Sequence, residues 1–224
     1  MVKKILLIIL VVVVAFIIFR NIDIRNNSQQ NGITTIEPIS FTPSPTDFVT
    51  QQIASDSSLT WFGENKIQAK SHTGTLAFDT NTSFVGLAPK NEQGDLEVVA
   101  GQFLIDMTTM QGAEGESEML INHLKSADFF DVDTYPTANF VITGKAENTV
   151  EGMLTIKGQT QTVSVPYTLT QDVDGRYKME GVFQIDRTLW GVTTLSGNFF
   201  DDIGDSVVED IIRLSFVVYT TNQN

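Results

Sequence analysis

Tyr177-Lys178-Met179-Glu180-Gly181-Val182-Phe183-Gln184-Ile185-Asp186 decides the fold. Tyr177, Met179, Gly181, Phe183 and Ile185 fall on one side of an extended chain, and Lys178, Glu180, Gln184 and Asp186 on the other. A two-residue period of this kind marks a strand with one face in a core. Just upstream, Asp172-Val173-Asp174-Gly175 carries the turn chemistry of a β-hairpin. Before it, Val163, Val165, Tyr167 and Leu169 alternate with Thr162, Ser164, Pro166 and Thr168, which predicts one continuous strand.

The pattern repeats outward in both directions. Ile212, Leu214, Phe216 and Val218 oppose Arg213, Ser215 and Tyr219. Phe103, Ile105 and Met107 alternate with Gln102, Leu104, Asp106 and Thr108. Phe140 and Ile142 lead into Val150, Gly152, Leu154 and Ile156, with a turn at Lys157-Gly158. Several strands at hairpin spacing with one apolar face imply an all-β, antiparallel sandwich or barrel. Ser117–Lys125 is the helical stretch, with Leu120 and Leu124 on one face and Ser117 able to cap its start. Gly101, Gly152 and Gly181 sit inside strands, where glycine marks a bulge or a close approach of backbone or ligand. Eleven of the fifteen Phe lie within 59–224, many at inward positions. They either fill a core or line a pore, since a barrel of about eight strands holds side chains or one slender ligand.

Charge and inventory exclude several functions. The chain of 224 residues has 14 basic and 27 acidic side chains, net −13, and the whole excess lies in residues 59–224. Such a domain repels polyphosphate, so nucleic acid is not an expected partner. There is no cysteine, which removes disulfides, thiol catalysis and Cys-ligated zinc. His72 and His123 are the only histidines, too few for a His-rich metal site. No G-x-S-x-G elbow, Gly-rich phosphate loop or Ser/His/Asp set is present, so no enzymatic activity is expected. Asp201-Asp202-Ile203-Gly204-Asp205 misses the calcium-loop spacing and reads as a solvated loop.

The N-terminal region has a different character. Lys3 and Lys4 precede an apolar run from Ile5 to Phe19, closed by Arg20. At about 1.5 Å per residue the run spans roughly 22 Å, which lysine snorkelling and interfacial Ile22 and Ile24 extend. No A-x-A cleavage pattern follows. Residues 1–24 are therefore expected to be an uncleaved signal anchor, a transmembrane helix with its N-terminus in the cytoplasm. Cleaved export to the periplasm or medium is the alternative. Residues 25–57, rich in Asn, Gln, Ser, Thr and Pro, read as a flexible linker, and 58–224 as the β domain.

A series of blocks in the β domain resembles the YceI-like family of polyisoprenoid-binding proteins. Trp61-Phe62-Gly63-Glu64-Asn65-Lys66 resembles its opening W-x-G strand, and His72-Thr73-Gly74 its H-x-G turn. Gly101-Gln102-Phe103-Leu104-Ile105-Asp106-Met107 is similar to its G-x-F-x-I-D-M strand. His123-Leu124-Lys125-Ser126-Ala127-Asp128-Phe129-Phe130-Asp131, continued by Tyr135-Pro136-Thr137-Ala138-Asn139-Phe140, is the most specific block. Gly152–Gly158 and Ile185-Asp186-Arg187 complete the order over about residues 58 to 222. This chain departs from the family at Leu189-Trp190, which holds the usual aromatic position after Arg187, and in the acidic segment 112–118.

The resemblance implies a lipocalin-like antiparallel β-barrel with a deep apolar pore holding an isoprenoid, quinone or fatty-acid-like lipid, without a cofactor of its own. The residues expected to contact that lipid are Trp61, His72, Phe103, Ile105, Leu124, Phe129, Phe130, Phe140, Phe183 and Trp190. His72 either meets the ligand's polar head or caps a turn. Phe129 and Phe130 either plug the rim or only fill space, and Asp186-Arg187 reads as a structural ion pair or hydrogen-bond hub. The alternative to lipid carriage is a non-catalytic stress-response or interaction module with a filled barrel core. The expected partners are a long-chain lipid, the membrane through the anchor, and in one assembly a second copy as a homodimer.

Overall fold

The computed structural model describes residues 48–65, 70–199 and 207–221, all within the second of two compact units, Pro43–Asn224. The apolar run of residues 5–19, most of the linker and the Asp201–Asp205 stretch lie outside the described residues. Among the described residues no helix is long and apolar enough to cross a membrane.

Among the described residues eleven strands form one antiparallel sheet: β1 (Val49–Gln52), β2 (Ser58–Asn65), β3 (Lys70–Phe78), β4 (Phe84–Pro89), β5 (Leu96–Gly112), β6 (Thr137–Ala146), β7 (Thr149–Ile156), β8 (Gln159–Pro166), β9 (Thr168–Gln171), β10 (Tyr177–Asp186) and β11 (Ile211–Tyr219). The neighbour order is β8-β7-β6-β5-β3-β2-β11-β10-β9, with β4 on the first half of β5 and β1 on β4. Among the described residues the α-helix is α1 (Glu118–Lys125), between β5 and β6. Its Ser117 cap accepts from the Leu120 N–H at 3.2 Å, as the sequence predicts.

The expected single strand across Val163–Leu169 is instead two, and this break closes the barrel. β8 pairs with β7 and ends at Pro166, while β9 begins at Thr168 and pairs with β10. Proline offers no ladder donor, so the strand breaks there and the chain bends from one edge of the sheet to the other. Counting β8 and β9 as one bent strand leaves eight staves in a nearly closed antiparallel barrel. Tyr167 pins the bend: its N–H donates to the Asn148 carbonyl at 2.9 Å, and its buried hydroxyl accepts from the Val98 N–H at 3.1 Å.

Beyond the bend, β8 and the second half of β10 face each other without backbone pairing. Gly181 allows the approach, because a Cβ there would sit 2.2 Å from the Pro166 oxygen and 2.8 Å from the Phe216 ring. The strand glycines thus mark close approach: at Gly152 a Cβ would meet the Phe140 ring at 2.3 Å. Trp190 and Gln161 fasten the seam. The Trp190 indole N–H donates to the Leu154 carbonyl at 3.0 Å, and the Gln161 amide donates to the Leu189 carbonyl at 2.9 Å.

The domain also starts earlier than residue 58. Val49–Gln52 pairs with Phe84–Leu87, and Ile53, 1 % exposed, bridges to Thr220. Four residues of mixed polarity carry too little alternation to stand out from a polar linker. Together with β4 this strand packs one end of the barrel solid, where Val85, Val98, Val150 and Val218 are almost fully buried.

A lidded apolar cavity with a charged mouth

A cavity of about 380 Å³ occupies the barrel, so the centre is not filled by side chains. It is reached from the end where β2 ends at Asn65, β3 begins at Lys70 and β10 gives way to the 3-10 turn Arg187–Trp190. The opposite end is the packed floor. Inward positions of the strands line it, because a strand contributes every second side chain to one face.

Nine of the ten residues expected at the lipid face it: Trp61, His72, Phe103, Ile105, Leu124, Phe129, Phe130, Phe140 and Phe183. Trp190 does not. It is 1 % exposed and belongs to the wall, sealing the seam with its indole N–H. The aromatic walls are ordered by edge and face contacts. Phe103 stacks on Phe140 across β5 and β6 at 6.2 Å, Phe78 meets Phe103 edge-on at 6.1 Å, and Phe183 meets Phe216 at 6.4 Å. Leu214, Phe216, Met107 and Met110 also line the space. The alternation of the first three was visible in the sequence and Met110 falls off that period, but nothing there separates a pore wall from a filled core.

Helix α1 lies over the mouth. Leu120 and Leu124 turn inward, and Met119, 82 % exposed, turns outward. Beyond the helix Phe129 is buried against the cavity, with the His123 ring edge-on to it at 4.9 Å. The helix is tied at both ends. At its C-terminus Lys125 donates to the Thr108 carbonyl at 2.8 Å. Ahead of its N-cap, Glu116 accepts a hydrogen bond from His72 Nδ1 at 2.8 Å on one oxygen and from the Thr73 N–H at 3.2 Å on the other.

His72 therefore does not cap a turn. It stands in β3, opposite Gly63, and is tied to a carboxylate 44 residues away. Glu116 was invisible as its partner because the acidic segment 112–118 gives no hint of which cation it meets. Burial pushes the Glu116 carboxyl up, but the hydrogen bonds from His72 and Thr73, with the charges of His72 and Lys70, outweigh it and hold the pKa below the ordinary 4.5.

Arg187 is the hub of the mouth, and it is 2 % exposed. It donates to the backbone oxygens of Val192 at 2.6 Å, Thr194 at 2.9 Å, Val208 at 3.1 Å and Glu209 at 3.1 Å, and to the Asp210 carboxylate at 3.3 Å. Its ionic partner is Asp210, while the neighbouring Asp186 caps the 3-10 turn by accepting from the Thr188 N–H at 2.9 Å. Burial pulls the guanidinium below its ordinary pKa, opposed by Asp210 and Asp186. No group of three His, Asp or Glu among the described residues could hold a metal ion.

Comparison with curated proteins found no match. Among solved structures, BcnA of Burkholderia cenocepacia is 26 % identical, with a TM-score of 0.52 over 75 % of this chain and all of that one. A polyisoprenoid binding domain from Saccharophagus degradans, implicated in plant cell wall breakdown, is 12 % identical, with a TM-score of 0.55 over 79 % of this chain and 99 % of that one. At that identity the likeness concerns the fold. The family model described as YceI-like domain matches residues 51–219, which takes in the barrel from the middle of β1 to the last residue of β11, and on that match the chain belongs to the YceI-like family.

Proposed function

We propose that this protein carries a single long-chain lipid, a polyisoprenoid or a similar amphiphile, inside the barrel. The observation that carries this reading is the cavity of about 380 Å³, apolar along the barrel and polar at one end. A long chain gains roughly 0.8 kcal/mol for each CH₂ moved out of water, so an apolar tunnel supplies affinity and a few polar groups at its mouth orient the head. The polyisoprenoid binding by which the Saccharophagus degradans domain is described supports the same ligand class here. Binding needs no chemistry, and at the mouth Glu116 and Arg187 are engaged in holding loops together. The reading extends to a domain tethered outside the cytoplasmic membrane by residues 5–19.

Organic extraction of the purified full chain followed by mass spectrometry tests the first part. A co-purifying long-chain lipid in near one-to-one amount is expected. A lipid-free protein that also takes up no added prenol would reject it. Protease treatment of intact cells tests the second part. The barrel should be lost while an N-terminal tag survives, and a mature protein beginning after residue 20 would defeat the tether.

A further inference from the structure

The cavity has a definite depth. Ile212, Leu214, Phe216 and Val218, successive inward positions of β11, all line it. At about 3.3 Å per residue that stretch runs roughly 20 Å along the strand, and a strand tilt of about 40° reduces it to roughly 15 Å along the barrel. Toward the floor the lining stops short of the next inward residues, Ile142 on β6 and Val150 on β7, which are buried in the packed end.

A layer of rings makes the stop. Phe103 and Phe140 stack 6.2 Å apart, and Phe78 stands edge-on to Phe103 at 6.1 Å. Both stacked rings lean toward the floor. A Cβ on Gly101, one inward position below Phe103, would stand 2.9 Å from that ring, and a Cβ on Gly152, one position below Phe140, would stand 2.3 Å from its ring. The two strand glycines give the rings room to lie across the barrel. This stop is built of described residues, at the end away from the mouth.

Depth and volume lead to the same capacity. An extended chain advances roughly 1.2 Å per bond, so an isoprene unit with four main-chain bonds takes about 5 Å, and the depth takes about three units. An apolar cavity of about 150 Å³ accepts the six carbons of benzene, and at that allowance a cavity of 380 Å³ holds about fifteen carbons, again three units. Carbons left outside the apolar wall forgo their burial, so each further unit adds length without affinity.

We infer that the Phe103–Phe140 stack makes the barrel a ruler, which seats a tail of about three isoprene units and disfavours longer prenyl chains. This rests on the lipid-carriage reading and narrows it to a tail length.

The test presents delipidated full chain, in nonionic detergent micelles, with an equimolar mixture of farnesol, geranylgeraniol and solanesol, prenols of three, four and nine units. Native mass spectrometry then reads which prenol each protein holds. Farnesol is expected to exceed solanesol at least about tenfold, because the micelle solvates every unit of the longer tail and the barrel does not. Equal or higher occupancy by solanesol would overturn the ruler while leaving lipid carriage intact. Uptake of no prenol would overturn lipid carriage, and the ruler with it. A second measurement locates the stop. In Phe140→Ala, confirmed folded by circular dichroism, the space of one ring opens below the tail. Geranylgeraniol should then rise severalfold relative to farnesol. Phe140→Leu, which keeps an apolar side chain, should shift the ratio in the same direction by less. An unchanged ratio in a folded variant would overturn the stack as the stop.

Discussion

The Trp190 indole N–H reaches the Leu154 carbonyl at 3.0 Å, so the turn that follows β10 is fastened to β7 across the seam where backbone pairing is missing. Trp190→Phe keeps an apolar ring and removes this bond. A loss of about 1–3 kcal/mol in urea unfolding is expected, because a buried acceptor loses one partner. A change within error would mean that packing alone closes the seam.

At Gly181, a Cβ would stand 2.2 Å from the Pro166 oxygen and press on the Phe216 ring. Gly181→Ala must push β10 away from the bend. It should cost at least the roughly 1–3 kcal/mol of an overpacked core and lower the melting midpoint accordingly. A stabilised variant would show that the approach is looser than the geometry requires.

Arg187 is held by a fork of donors that lysine lacks. Arg187→Lys keeps the charge but leaves several buried carbonyls unserved, so a destabilisation on the order of 3 kcal/mol is expected from denaturant titration. Near-wild-type stability would assign the placement of residues 192–194 and 208–210 to other contacts.

Ala138 lines the cavity beside Ile105, its partner across β5 and β6. Ala138→Phe should place a ring in the open space and abolish lipid retention while the far-ultraviolet spectrum stays that of a β protein. Retention equal to wild type would place the ligand elsewhere.

The Glu116 pKa is depressed in the folded protein relative to 4.5. Its contribution to stability is thus fully present above that value and lost as pH falls through the lower folded value. Wild type should melt higher than Glu116→Gln at neutral pH, and the gap should close as the buffer is taken below pH 4.5. A gap that persists in acid would assign the effect to shape and not to charge.

Strand identity was legible wherever a two-residue period ran for four or more inward positions, as in Tyr177–Ile185 and Ile212–Val218. The turn Lys157-Gly158, both at positive φ, and the Ser117 cap followed from local chemistry alone. What escaped was non-local. Pro166 sits in an unbroken alternation, and only the sheet shows that the two halves pair with different neighbours. Trp190 and Trp61 are both aromatic at strand ends or interiors, yet one seals the wall and the other faces the cavity, a difference set by backbone direction after Asp186. The partners Glu116 and Asp210 likewise depend on which loops the barrel brings to its mouth.

The floor of the barrel has a topological consequence. The Thr221 N–H donates to the Gln52 carbonyl at 2.8 Å, and Ser57 and Tyr219, 162 residues apart, share a hydrogen bond. The two extremities of the domain are thus neighbours, and both emerge on the side away from α1. A circular permutant joining residues near 48 and 221 with a short linker, reopened at an exposed turn such as 172–175, has no long gap to span. For the same reason a reporter protein fused to either extremity would hang below the floor and leave ligand entry unobstructed.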